Sequence, residues 1–273
     1  MTNLEQTRQA WEEQAEAYDQ ALTATDMRTA EAALAMAGVG PGTRLLDVAS
    51  GGGAVSLPAA RLGADVLAVD FSQAMVELLG RKAGELGLGN LRVRRMDGMA
   101  LDLEDGSFQV ACSCLGVMLF PDRARGLSEM ARVLEPGGKG VMIVLGPPRR
   151  VQPIWIFLEA MMETLPGFAP PPDSPLFCLQ DLEVLAGEME AAGFREVEAT
   201  AFENHLEVES GEHLWETLVA GAPALTALVR SLPEDRRRAL RSELVEMVRR
   251  RSGGSGPVSL PMTFNIGVGV RPE

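Results

Sequence analysis

Two aspartates and a run of glycines are the residues in this chain whose types and spacing could do chemistry. Asp47 lies in Arg44-Leu-Leu-Asp-Val-Ala-Ser-Gly-Gly-Gly-Ala-Val-Ser56, and Asp70 ends the run Asp65-Val-Leu-Ala-Val-Asp70. Gly51, Gly52 and Gly53 follow the first of them. Glycines between a strand and a helix let a ligand lie against bare backbone, where the N–H groups of the first helical turn point outward. A plain strand–turn–helix connection would explain the glycines alone. Two carboxylates at the ends of successive strands are what make the stretch a candidate site.

The elements that must position these residues are legible in the apolar runs. Leu45, Leu46 and Val48, fed by the turn Gly40-Pro41-Gly42, predict a buried strand over residues 44–49, with a helix from Val55 to Leu62. Further strands are expected at 65–70, 91–96, 108–115 and 140–145, then at 194–201 and 260–270. Regular alternation of strands and helices argues for a parallel sheet with helices on both faces. In such sheets ligands bind beyond the carboxyl ends of the strands, where Asp47, Asp70, Asp97 and Leu115 all fall.

Two nucleotide-type ligands could use a glycine turn of this kind. A dinucleotide site wants Gly-x-Gly-x-x-Gly, but the third position counted from Gly51 is Ser56. Asp47 would also repel a pyrophosphate. S-adenosylmethionine has no phosphate and carries ammonium and sulfonium charges, so a carboxylate near the turn suits it better.

At this point the chain resembles the class I S-adenosylmethionine-dependent methyltransferases, in the branch of the ubiquinone and menaquinone C-methyltransferases and many natural-product enzymes. The resemblance rests on Leu46-Asp-Val-Ala-Ser-Gly-Gly-Gly53, Asp70-Phe-Ser-Gln-Ala-Met75, Met96-Asp-Gly98 and Arg132-Val-Leu-Glu-Pro-Gly-Gly138, in the family's order and spacing. Two positions depart from it. Ala49 stands where many members have Gly, and Gln109 where Asp usually opens the fourth strand. The resemblance implies an α/β fold, a Rossmann-like seven-stranded, mostly parallel sheet with helices on both faces, plus a helical cap. It implies a methyltransferase with S-adenosylmethionine as cofactor.

The roles follow from chemistry. Asp70 has two carboxylate oxygens for the two ribose hydroxyls, with Phe71 beside it and Met75 packing on the ribose–adenine side. Asp97 is suited to the adenine amine, with the backbone of Gly98 and Met99 facing the ring nitrogens. As an Asp before Gly, Asp97 is equally a turn former. Gly51 and Gly53 permit close approach of the methionyl part, Asp47 and Ala49 flank it, and Leu115 lies beside the cofactor through its backbone. N-terminal helices are expected to form a lid, with a stripe of Trp11, Ala15 and Tyr18. The resemblance puts Tyr18 near the methionine end, while packing accounts for Trp11.

For the acceptor, Gly116, Met118 and Phe120 after strand four form an apolar wall. There is no Asn-Pro-Pro-aromatic loop and no evident acid cluster for magnesium, which favours a small, mainly apolar molecule. Trp155, Phe157, Phe177, Trp215 and Leu218 are large apolar residues outside the motif-bearing core. Any one of them packs; as a set they could form an acceptor pocket under the cap. Of two histidines, His205 falls on an extended, water-facing segment. His213 follows Ser210, which can cap a helix, and is the candidate general base.

A length of 273 residues allows one large domain with an appendage. The expected division is a core with N-terminal lid over 1–203, a helical cap over 204–256, and a final core strand over 257–273. Ser252-Gly-Gly-Ser-Gly256 reads as a flexible joint, and the proline-rich 166–175 as a loop. No apolar run reaches membrane-spanning length, and Met1-Thr-Asn-Leu-Glu lacks the features of a signal peptide. A net charge of −13 argues against nucleic acid and anionic membrane as partners. Arg236, Arg237, Arg238, Arg241 and Arg249–Arg251 alternate with acids, as on a solvated helix face; an anionic-substrate clamp is the other reading. Cys112 and Cys114, two apart in a strand, read as packed small hydrophobes, and three reduced thiols fit the cytoplasm. A monomer or homodimer is expected. A protein that binds the cofactor without transferring its methyl, such as a natural-product cyclase or a regulatory subunit, would present the same cofactor residues, and an NAD(P)-dependent oxidoreductase is the remaining alternative.

Overall fold

A computed structural model describes residues 3–170, 174–254 and 256–273. Met1, Thr2, residues 171–173 of the proline-rich stretch and Ser255 of the glycine–serine joint lie outside the described residues. Seven strands form one sheet: β1 (Arg44–Val48), β2 (Asp65–Asp70), β3 (Leu91–Arg95), β4 (Phe108–Cys114), β5 (Leu134–Leu145), β6 (Arg195–Val208) and β7 (Val258–Val270). Their order is β3-β2-β1-β4-β5-β7-β6, and the first five run parallel. β7 runs antiparallel between β5 and β6. The order reverses between β1 and β4, so their carboxyl ends border the crevice where open sheets bind ligands.

The central strands are buried on both faces because helices cover both. Leu45, Leu46 and Val48 of β1 are fully buried. Covering helices include α3 (Ser56–Arg61), α4 (Gln73–Glu85), α5 (Arg123–Val133), α6 (Gln152–Thr164) and α7 (Leu182–Ala191). Arg132 of the fourth motif ties α5 to the preceding loop. It donates to Glu129 and Asp105 and to the carbonyls of Leu101 and Leu103. Gln109, in place of the usual Asp, accepts the N–H of Arg44 at 3.0 Å and joins the start of β4 to β1.

The N-terminal segment is α1 (Asn3–Tyr18), a π-helical turn (Asp19–Thr23) and α2 (Ala24–Ala37), ended by Gly38 at φ 74°. Three helices sit between β6 and β7: α8 (Gly211–Gly221), α9 (Pro223–Ser231) and α10 (Glu234–Arg251). They pack on α6 and on the N-terminal segment. Two expectations need correction here. β6 continues to Val208, so residues 204–208 of the expected cap belong to the sheet, paired with Met262 to Val258 of β7. Alternation of Leu206 and Val208 with exposed Glu207 is the period-two pattern that makes this stretch a strand. β5 also begins earlier than expected, at Leu134. Among the described residues no helix is long and apolar enough to cross a membrane.

Candidate functional site

A cavity of about 340 Å³ opens at the carboxyl ends of β1 to β4. Each strand end contributes: Ala49 and Gly51 after β1, Asp70 and Phe71 from β2, Asp97, Gly98 and Met99 after β3, Leu115 and Gly116 after β4. Met75 of α4 and Phe120 also border it. Two lining residues are strained. Ala49 and Leu115 both stand at φ 57°, a left-handed conformation that non-glycine residues rarely take. Glycine takes this conformation readily, which accounts for the Gly that the resemblance expects where this chain has Ala49. Two glycines in the lining are needed for room. A Cβ on Gly116 would stand 2.4 Å from the Ala49 Cβ, and one on Gly98 would stand 2.7 Å from the Phe120 ring.

The roof is α1. Trp11 and Tyr18 meet edge to face at 5.4 Å and both border the cavity. Trp11 was expected only to pack, so its place in the lining is an addition to the sequence reading. Cys114 is another: it borders the cavity, whereas Cys112 is buried in the core. Glu12 fixes this roof to the sheet by accepting the N–H groups of Gln73 and Ala74, at 2.9 and 2.7 Å, at the start of α4. Burial works against the Glu12 carboxylate, but those backbone donors hold its pKa below the ordinary value. Lys82 donates to Asp19 and to the carbonyl of Gly52, tying the π turn to the glycine turn.

Charge in the site is one-sided. Asp70 accepts the N–H of Gly51 at 3.0 Å on one oxygen and that of Ser72 at 2.9 Å on the other, so the two strand ends are locked together. Each oxygen keeps a second lone pair for a ligand. Burial pushes Asp70 up to about 6, despite those hydrogen bonds. It pushes Asp47 up to about 7, against a hydrogen bond from the Ser56 hydroxyl. Asp97 is exposed and accepts the N–H of Met99 at 2.9 Å, the turn expected of an Asp before Gly. No described lysine or arginine forms an ion pair with any of the three. The site can receive a cation.

A family model described as a methyltransferase domain matches residues 46–142, the span from β1 into β5. Nocamycin O-methyltransferase of Saccharothrix syringae is 32% identical over 245 residues, covering 83% of this chain and 85% of that one. The chain belongs to the S-adenosylmethionine-dependent methyltransferases. Rv1405c, an uncharacterized protein of Mycobacterium tuberculosis, is 40% identical over 105 residues, so the match spans only 38% of that relative's length. The solved YcgJ protein of Bacillus subtilis superposes with a TM-score of 0.59, covering 90% of this chain and 99% of that one. At 17% identity this likeness concerns the fold alone.

Several residues expected in this methyltransferase's site lie elsewhere. Asp47 is 1% exposed and does not border the cavity; it sits behind the turn and holds Ser56 at the start of α3. Gly53 also stands back, because a Cβ there would collide with Leu79 at 2.4 Å: it is glycine for packing, at φ 91°. Of the acceptor wall, Gly116 and Phe120 border the cavity, whereas Met118 is 2% exposed and faces the core. Trp155, Phe177 and Trp215 do not border it. Trp155 donates to Glu159 at 2.7 Å and lies beneath Arg149. Trp215 packs on Phe157 with ring centroids 6.0 Å apart, so packing accounts for both. Phe177 is buried against the core. His213 is exposed in the first turn of α8, its N–H bonded to the Ser210 hydroxyl and its Nδ1 accepting the N–H of Glu209. α8 does begin at its expected capping serine, Ser210, but His213 does not border the cavity. Arg238, Arg249, Arg250 and Arg251 of α10 pair with Glu234, Glu246, Glu243 and Glu159, as on a solvated face.

Proposed function

We propose that the chain transfers the methyl group of S-adenosylmethionine to a small, mainly apolar acceptor, in the cytoplasm and within secondary metabolism or quinone-type biosynthesis. The observation that carries this reading is the pairing of a glycine turn with buried carboxylates that lack a cation, at the crevice between β1 and β4. A pyrophosphate would meet the field of Asp47 and Asp70; a ligand bearing ammonium and sulfonium groups fits it. At Gly98 and Gly116 the missing Cβ lets Phe120 and Ala49 close in beside the cavity, so backbone is left at the strand ends for a ligand to lie against.

Asp70 would hold the ribose hydroxyls, Asp97 with the Gly98 and Met99 backbone the adenine, and Ala49, Gly51 and Leu115 the methionyl part. The bound cofactor supplies a methyl group already activated for transfer. The protein's own work is alignment and exclusion of water. Proximity and orientation can supply about 7–11 kcal/mol of a barrier. Trp11, Leu119, Phe120 and Pro175 are the apolar lining suited to an acceptor of low polarity. Support for the acceptor class comes also from the relative named for O-methylation of nocamycin, matched over most of both chains.

Isothermal titration with S-adenosylmethionine and with NADPH tests the cofactor. Transfer of a labelled methyl over phenols, polyketides, quinones and amines tests the acceptor. Binding of NADPH with none of S-adenosylmethionine would overturn the reading. Binding of S-adenosylmethionine without transfer to any acceptor would instead favour a protein that holds the cofactor without using its methyl.

A further inference from the structure

Asn265 is a polar residue where the sheet calls for an apolar one. It stands in β7 between Phe264 and Ile266, both fully buried, and is itself 1% exposed. Its backbone lies inside the ladder, opposite Val144 of β5 on one side and Ala201 of β6 on the other. A side-chain amide in such a place is costly unless it is hydrogen-bonded. Both of its bonds go to one short segment. Its Nδ2 donates to the carbonyl of Leu179 at 3.2 Å and to that of Gln180 at 2.8 Å.

That segment reaches the cavity. It begins with the helical turn Pro175–Phe177, in which the Phe177 N–H donates to the Ser174 carbonyl at 3.0 Å. The Gln180 N–H then returns to the Phe177 carbonyl at 3.2 Å. Phe177 and Leu179 are buried and anchor the segment from below. Its turn rests on the turn Val117–Leu119 that follows β4. The Cys178 thiol lies between the two, 3.0 Å from the Pro175 carbonyl and 3.8 Å from the Met118 carbonyl. Outside them Arg123 of α5 donates two bonds of 2.6 Å to Glu188 of α7. The two turns are thus held as one wall, with Asn265 behind it.

Pro175 and Leu119 bring this wall to the lining of the cavity. Among the described residues Pro175 is the one lining residue from beyond β5, and it lies outside the span 46–142 that the family model matches. Proline has a fixed φ and no N–H, and the Cys178 thiol stands over the Pro175 carbonyl. The wall is therefore stiff, and it offers a ligand hydrocarbon rather than hydrogen bonds.

We propose that the segment 175–180 is the acceptor-selecting wall of the site, with Pro175 touching the acceptor and Asn265 holding the wall from the sheet. This rests on the apolar-acceptor reading above and deepens it. The acceptor class it favours carries fused-ring or alkyl surface on the side turned to Pro175 and Leu119. Asn265 is a positioning residue, because it acts through the turn and does not border the cavity.

The test uses two probes that differ by one apolar ring, phenol and 1-naphthol, titrated calorimetrically into the complex with S-adenosylhomocysteine. The wild-type complex should bind 1-naphthol about tenfold more tightly than phenol. Pro175→Ala, at an exposed residue, and Asn265→Leu should each cut that preference by about threefold or more, with S-adenosylhomocysteine affinity within about twofold of wild type. In Asn265→Leu the amides of Phe177 and Gln180 should also exchange faster while those of β5 stay protected. A general loss of structure would weaken all three ligands alike, and that outcome overturns the proposal. So does a wild type without preference between the probes, or a preference kept in Pro175→Ala. A preference lost in Pro175→Ala but kept in Asn265→Leu overturns the positioning role. A wild-type complex that binds S-adenosylhomocysteine but neither probe refutes the apolar-acceptor reading itself, and this inference with it.

Discussion

Cofactor affinity should depend on pH more steeply than an ordinary nucleotide site allows, and the structure sets the size of the effect. Burial pushes Asp26 and Asp47 up to about 7 and Asp70 up to about 6. A cationic ligand favours the ionised forms, so binding must release protons wherever the free protein holds them. For one required ionisation with a pKa near 7, the dissociation constant falls about eightfold between pH 6 and 7.5. Two such ionisations give about seventyfold, and one at pKa 6 only about twofold. The window stops at pH 7.5 because an α-ammonium group itself begins to lose its proton at about 7.7–8.0. For stability of the free protein the sign is opposite. Carboxyls with raised folded pKa values contribute stability that is present below their ordinary value and is lost as pH rises through 6 to 7. The free protein should therefore melt at lower temperature at pH 7.5 than at pH 5.5 from this cause, and S-adenosylmethionine should narrow the gap. Isothermal titration at pH 6, 6.75 and 7.5, each in two buffers of different ionisation enthalpy, gives both the affinity and the proton count. A dissociation constant constant within twofold, with no proton exchanged, would refute the reasoning.

Three further outcomes are expected. Glu12→Ala removes the carboxylate that accepts both Gln73 and Ala74 N–H groups, so amide hydrogen exchange across α1 should quicken and cofactor dissociation should accelerate several-fold in stopped flow, with the fold intact. Trp215→Ala, at a residue 8% exposed and packed on Phe157, should cost about 3–5 kcal/mol in denaturant unfolding while leaving the cofactor's dissociation constant unchanged for the folded protein. His213→Ala should leave methyl transfer within about twofold, since its side chain is exposed and bonded to the backbone of Glu209; a loss of about 10²-fold or more would restore it as a base.

The parts of this molecule readable in its sequence are those set by short-range rules. β2 begins and ends where the run Asp65 to Asp70 does, because an apolar strand bounded by polar turns has little freedom. Four strand ends then meet at one edge by topology alone, which is why Ala49, Asp70, Gly98 and Leu115 could be placed in a single site. Asp47 and Gly53 belong to the same motif yet stand behind the lining. Spacing tells which turn a residue belongs to, but which side of it faces a ligand is decided by Ser56 and Leu79, which pack from the far side. Trp155 and Trp215 show the same limit at longer range. A large aromatic under a cap has many apolar partners available, and here Arg149 and Phe157 supplied them.

Asp26 is the instructive omission, because a signal for it existed. Reading Asp26, Ala30, Ala33 and Ala37 as one stripe puts an acid on the face that carries the small residues of α2, and those alanines are buried at 6% exposure or less. A helix that turns such a face inward buries the acid too, and ionising a carboxyl there costs several kcal/mol unless something answers the charge. Asn204 does answer a neighbour on the same helix, donating to the Thr25 carbonyl and the Thr29 hydroxyl. Nothing among the described residues does so for Asp26 except the phenol of Tyr18. The sequence contains the stripe; it does not contain the π turn that swings Tyr18 over Asp26, since five residues of Asp-Gln-Ala-Leu-Thr could equally continue an α-helix. One irregular turn, held down by Lys82 on Asp19 and Gly52, thus brings two ordinary helix positions together, Tyr18 in the lining of the cavity and Asp26 behind it.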